Sequence, residues 1–249
     1  MFITLHFVVT TLLAIVCAQS MGLNQNEFSA LALLIPALWV LPQKGIKGLF
    51  LVAGMLAYGL TLPHQSIALS VTQWILFPLL MVIFSRRSSK RVRYITASIV
   101  LTLQAGVMVS QAIGSLDGMP MITAIQMLSV CLTWWAAKHK STSTKQSWWA
   151  LGLIVPLWFA GFFHAILVAI SITGIISSLE SLSRLKKFNW SKLICWTVPT
   201  VGFAAIVVSP NIEVPHSVIV VWMCLLGTAW MTDYILRSIE KEQDTIGSK

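Results

Sequence analysis

The sequence predicts an all-α, polytopic membrane helix bundle of about ten transmembrane helices. Three observations carry this expectation. Of 249 residues, 57% are hydrophobic and only 10% charged, and the mean hydropathy is +0.82. A soluble domain of this length has no core large enough to hide that much apolar side chain, whereas a bilayer accepts it. The apolar stretches are also long and continuous, without the period-two alternation of a barrel strand, so each crossing must satisfy its backbone as a helix. Finally, no polar stretch is long enough for a separate soluble unit, which makes residues 1–249 one membrane domain.

Ten apolar segments follow in order: 1–20, 28–42, 47–62, 66–85, 93–113, 120–137, 147–162, 164–180, 193–209 and 216–236. The first lacks the basic start of a secretory signal, because no Lys or Arg precedes Lys44, and reads as a retained helix. Several segments are shorter than the roughly 20 residues of a full span, so they either run into their loops or cross partway. The stretch 147–180 is ambiguous by length. As one helix it reaches about 50 Å at ~1.5 Å per residue, too long for one crossing and short for two. Gly161 and Pro156 favour a tight hairpin there, and one continuous helix lowers the count to nine. Pro36, Pro78, Pro156 and Pro199 lie inside segments and are expected to kink them.

Charge sets the orientation. All 17 Lys and Arg fall in alternate connections, at 43–47, 85–93, 138–145, 180–192 and beyond 237. The other connections carry only Glu27, Asp117 and Glu213. The positive-inside rule then puts both termini in the cytoplasm of a bacterial-type inner membrane. The net charge of +9 thus reads as a topology signal, not as a surface for nucleic acid. Trp39, Trp74, Trp134, Trp135, Trp148, Trp149 and Trp190 lie towards or partway along segments, and most read as interfacial belt residues. Cys17, Cys131, Cys195 and Cys224 lack metal or redox spacing and read as packing residues.

Shifting the chain against itself by about 120 residues aligns ALALLIPALW at 30–39 with ALGLIVPLW at 150–158, with one gap. At nearly the same offset Ile3 and Thr4 meet Ile122 and Thr123, Leu51 to Ala53 meet Leu167 to Ala169, and the Trp74 and Pro78 pair meets Trp196 and Pro199. This predicts two halves, 1–118 and 119–249. A five-helix unit has an odd number of crossings, so its second copy is inserted upside down. The layout resembles that of the drug/metabolite transporter superfamily, whose larger members have ten helices in two inverted halves with both ends inside. That resemblance implies transport. It is one of layout, and no motif of the superfamily is found at particular residues.

Candidate chemistry is sparse. Gln73, Gln104 and Gln126 fall near mid-membrane, where an amide serves either a polar solute or a neighbouring helix; Gln111 lies further out on the helix of Gln104. Asp233 stands one helical turn before Arg237, the spacing of a local ion pair, with a coupling carboxylate as the alternative. His64, His164 and His216, with Glu27, Asp117 and Glu213, map to the outer side and are the weak candidates for a metal site or acid–base chemistry. His6 and His139 look unrelated to that set. Small residues recur every four positions at Ser98, Thr102, Gly106, Ser110 and Gly114, and again at Ala165, Ala169, Thr173, Ser177 and Ser181; both stripes are expected at helix interfaces. No hydrolase, zinc-protease, nucleotide-binding or dinucleotide signature occurs, which disfavours an enzyme and implies no cofactor. The expected function is a permease for a small neutral or weakly charged solute, with Gln73, Gln104 and Gln126 binding it. The alternatives are a membrane-embedded enzyme acting on lipid or a lipid-linked sugar at the outer face, and a non-catalytic subunit of a membrane complex.

Overall fold

Hydrocarbon leaves a chain no partner for its backbone, and in this protein the answer is helix throughout. The structure, a computed structural model, describes residues 2–23, 31–40, 46–85, 88–138, 148–184 and 190–247. Its helices are α1 (Phe2–Leu23), α2 (Leu31–Trp39), α3 (Ile46–Thr61), α4 (Ile67–Thr72), α5 (Leu76–Ile83), α6 (Lys90–Ala112), α7 (Pro120–Lys138), α8 (Ile154–Phe159), α9 (Phe163–Ser183), α10 (Trp190–Val208) and α11 (His216–Gly247). Six helical stretches are long and apolar enough to cross a membrane: Thr4–Met21, Ile46–His64, Lys90–Ala112, Pro120–Lys138, Phe163–Ser183 and His216–Leu236. Shorter apolar stretches are Ile67–Ile83, Trp148–Phe159 and Leu193–Val208. At ~1.5 Å per residue the first of these reaches about 25 Å, less than the roughly 30 Å hydrocarbon core.

Prolines explain part of the irregularity. The 66–85 segment is three pieces: α4, a 3₁₀ turn at Gln73–Ile75, and α5. Pro78 follows that turn by three residues, and Pro156 follows the 3₁₀ turn Trp148–Leu153 by three. A proline ring crowds the carbonyl four residues back and lacks the N–H that would bond it, so the preceding turn tightens to the three-residue pattern. Pro36 and Pro199 sit inside α2 and α10, which continue through them. Between α8 and α9 the chain breaks at Gly161, where φ is +80° and a side chain is disfavoured. The stretch 147–180 is therefore not one continuous helix. At the other end α11 continues to Gly247, well past the expected end near 236, because Glu, Lys and Gln there are good helix formers.

Exposure is inverted relative to a protein dissolved in water. Leu49, Ile113, Met121 and Phe159 are largely exposed, while Ser70, Thr123 and Gln126 are completely buried. The two most extensive helix contacts are α1 along α9 and α3 along α7. On α9 the small stripe is used over its first three members, Ala165, Ala169 and Thr173, which are buried, while Ser177 is half-buried and Ser181 exposed. On α6 it is not: Ser98, Thr102, Gly106 and Gly114 face outward. The buried face of that helix carries Thr96, Val100, Gln104, Val107 and Gln111. Two amides cost more in hydrocarbon than a row of small residues does, and the amides decide which face turns in. Trp39 and Trp134 are buried packing residues, not belt residues.

α3 lies tightly on α7 at Gly54, where an added Cβ would stand 2.8 Å from the Thr133 hydroxyl oxygen and 2.9 Å from the Ser129 carbonyl oxygen. Gly54→Ala should lower thermal stability in detergent by about 1–3 kcal/mol through this overlap. Gly227→Ala, where a Cβ would meet nothing within 4 Å, should leave the melting temperature unchanged or slightly raised.

Candidate functional site

Seven helical segments form a closed ring. Going round, α1 touches α9, α9 touches α2, α2 touches α3, α3 touches α7, α7 touches α5, α5 touches α10, and α10 returns to α1. Inside the ring lies a cavity of about 180 Å³. Its wall is apolar, and among the described residues no Asp, Glu, Lys, Arg or His lines it. One side is aromatic: Tyr58 and Trp74 meet edge to face at 5.3 Å between ring centres, and Trp74 meets Phe77 at 5.1 Å. Small residues such as Ala18, Ala37 and Gly202 also line the cavity and make room. The hydroxyls that reach the wall are mostly engaged. Tyr58 donates to the Ser70 carbonyl at 2.7 Å, and Thr133 donates to the Ser129 carbonyl at 2.8 Å.

None of Gln73, Gln104 and Gln126 lines the cavity, although Gln73 directly precedes Trp74. The three differ in what they do. Gln126 Nε2 donates to Ser70 Oγ at 3.0 Å, and its Oε1 accepts from Gln65 Nε2 at 3.1 Å. The Thr123 hydroxyl lies 2.9 Å from Gln65 Oε1 and 2.8 Å from Gln111 Oε1, and its single proton serves one at a time. Gln111 Nε2 donates to the Asp117 carbonyl at 3.2 Å. Gly118, with φ +95°, lets that turn close over the amides, since a Cβ there would lie 3.1 Å from Gln111 Nε2. The network braces α4, α6, α7 and their connections.

Gln73 Oε1 and both amide atoms of Gln104 are buried without a partner, as is Trp222 Nε1. Leu69, Val107 and Val218 share one buried cluster. One turn further along their helices stand Gln73, Gln104 and Trp222, all at one level. The hydroxyls of Thr96 and Thr232, 3.5 Å apart, fix α6 and α11 face to face. Trp222 also stacks on Phe203 at 3.9 Å.

The outer candidates do not assemble. His64 closes a 3₁₀ turn after α3, His164 begins α9 with a buried Nδ1 that lacks a partner, and His216 begins α11. Asp117 and Glu213 are exposed, and Glu27 lies outside the described residues, as does His139. Among the described residues no three His, Cys, Asp or Glu side chains gather closely enough to hold a metal ion. His6, which stood apart in the sequence, is a helix link: its Nδ1 lies 3.0 Å from Ser178 Oγ, joining α1 to α9. Asp233 is half-buried on α11.

Sequence reasoning missed the cavity wall and Gln65. The aromatic wall residues come from two segments, and the small ones from α1, α2 and α10, so no local motif announces them. Compared with protein-family models, curated proteins and solved structures, the chain matches none. The resemblance of layout noted above therefore gains no support from sequence or fold matching.

The two kinds of glutamine separate by mutation. Gln126→Leu strands Gln65 Nε2 inside the protein and should cost about 1–3 kcal/mol in thermal unfolding in detergent. Gln104→Leu removes an amide that has no partner, and the melting temperature should hold or rise.

Proposed function

We propose that this chain is a permease of a bacterial-type inner membrane, carrying a small neutral solute by alternating access. In this reading the chain crosses ten times, in two inverted five-helix halves, with both termini in the cytoplasm. The observation that carries it is the uncharged cavity at the centre of a closed helical ring, with walls from both halves.

The contact pattern supports the repeat. Number the apolar segments one to ten and add five to each. The contact of α1 with α9 then becomes that of α7 with α3, and these are the two most extensive in the bundle. Likewise α1 with α10 becomes α7 with α5. Three contacts map onto themselves: α4 and α5 with α10, α6 with α11, and α2 with the Trp148–Leu153 turn. The exchange is incomplete: α2 packs extensively on α9 without a comparable contact of α3 with the 148–159 stretch. Similarly, α11 packs on α4 and α5 without a comparable contact of α6 with α10, and α6 packs on α5 and α7 without comparable contacts of α11 with α10 and α1.

Alternating access needs a centre that both halves can share and leave. An apolar wall forms no strong directional bonds across the cavity, while the Gln65–Gln126 network ties α4 and α6 of the first half to α7 of the second. Gln73, beside the wall residue Trp74 and with an Oε1 that has no partner among the described residues, is the glutamine this reading keeps for a solute in another state of the cycle, since it does not line the cavity in this one; Gln126 serves the brace.

Purified protein in liposomes should take up a radiolabelled neutral solute from a mixed panel faster than empty liposomes do. Gly202→Val, which pushes two methyl groups towards the cavity, should lower that uptake at least about fivefold without loss of melting temperature. Flux no greater than that of empty liposomes across the panel contradicts the permease reading.

A further inference from the structure

The ring and its contents also restrict what the cavity accepts. Each of the seven segments touches the next, and all seven contribute side chains to the cavity wall. The volume of about 180 Å³ is that of a small solute. A dry apolar cavity of about 150 Å³ binds benzene, so this one holds a single aromatic ring or a fused pair. A charged group would lie here without any counter-charge on the wall, and a sugar would bring many hydroxyls to a surface that pairs few. The Tyr58 and Thr133 hydroxyls already donate to backbone carbonyls, and with Thr197 they are the only hydroxyl-bearing residues on the described wall, so it can pair few polar groups of a ligand. The Tyr58, Trp74 and Phe77 rings, already arranged edge to face or tilted, extend the same packing to a ligand ring.

We propose that the cavity is a binding site for a neutral, mostly apolar ring compound with at most one small polar group, of the phenol or indole class. This rests on the permease reading for its physiological meaning, but the binding site is testable without transport.

The test is equilibrium dialysis of the full chain in detergent against radiolabelled phenol, indole, myo-inositol and benzoate, with detergent micelles alone as the baseline. Phenol and indole should bind saturably, about one per chain, and inositol and benzoate should stay at the baseline. Gly202→Val should weaken phenol and indole binding about tenfold or more, because the valine occupies the ligand's space. A Cβ at position 202 would meet only Val71 Cγ1, at an ordinary 3.6 Å, so the backbone there admits the change. Gly227→Ala, on the far helix α11, should bind as the natural chain does. Absence of saturable phenol and indole binding, equal binding of inositol, or unchanged binding in Gly202→Val overturns the assignment. Saturable indole binding without flux in liposomes keeps the site and removes the permease. Flux of polar solutes without indole binding keeps the permease and removes this ligand class.

Discussion

Hydrocarbon offers no hydrogen bonds, and most of what is specific in this fold follows from that one deficit. It makes every apolar segment a helix. It also decides which face of each helix turns inward, as α6 shows. That helix carries two candidate interfaces, a row of small residues and a row holding Gln104 and Gln111, and the amides are the ones buried. The small residues lose little by facing outward, whereas an amide in lipid loses its bonds. The same rule gathers Gln65, Ser70, Gln111, Thr123 and Gln126 into one network, in which most amide atoms find a partner within the protein.

Two regions of different character result. The network is polar, bonded and directional, which suits a fixed brace. The ring cavity is apolar and contacted mainly by dispersion, with its hydroxyl protons turned back onto backbone carbonyls. A carrier needs both qualities: units that move as bodies, and a shared centre with little to hold it shut. Gln73, Gln104 and Trp222 stand apart from both regions, at one level between α6, α11 and the 3₁₀ turn before Pro78. Their unmatched polar atoms cost stability, which fits a place where contacts change.

How much of this was legible depended on whether the signal was local. Composition and the spacing of Lys and Arg announced the membrane bundle, because each crossing is a local feature. The break at Gly161 was legible for the same reason, as a glycine close behind a proline. The facing of the α6 stripe was not, because small residues suit an interface or lipid equally, and only competition with Gln104 and Gln111 on the same helix decides. Gln126 was visible as a buried amide, but its role depended on Gln65, which sits in a connection and meets it only in three dimensions. The cavity was invisible for a related reason: Tyr58, Trp74, Ala18 and Gly202 on its wall come from four separate segments.

The central claim is that a solute-sized cavity inside a closed ring is reached from each side in turn. Cys17 provides the direct measurement, since it is native, free and on the cavity wall. With Cys131, Cys195 and Cys224 replaced by alanine, a small membrane-impermeant thiol reagent can be applied to either side of right-side-out and inverted vesicles. The account predicts that Cys17 reacts from both sides, each reaction incomplete at short times, and that phenol or indole slows both. Reaction from neither side, or from one side only at any exposure, contradicts it.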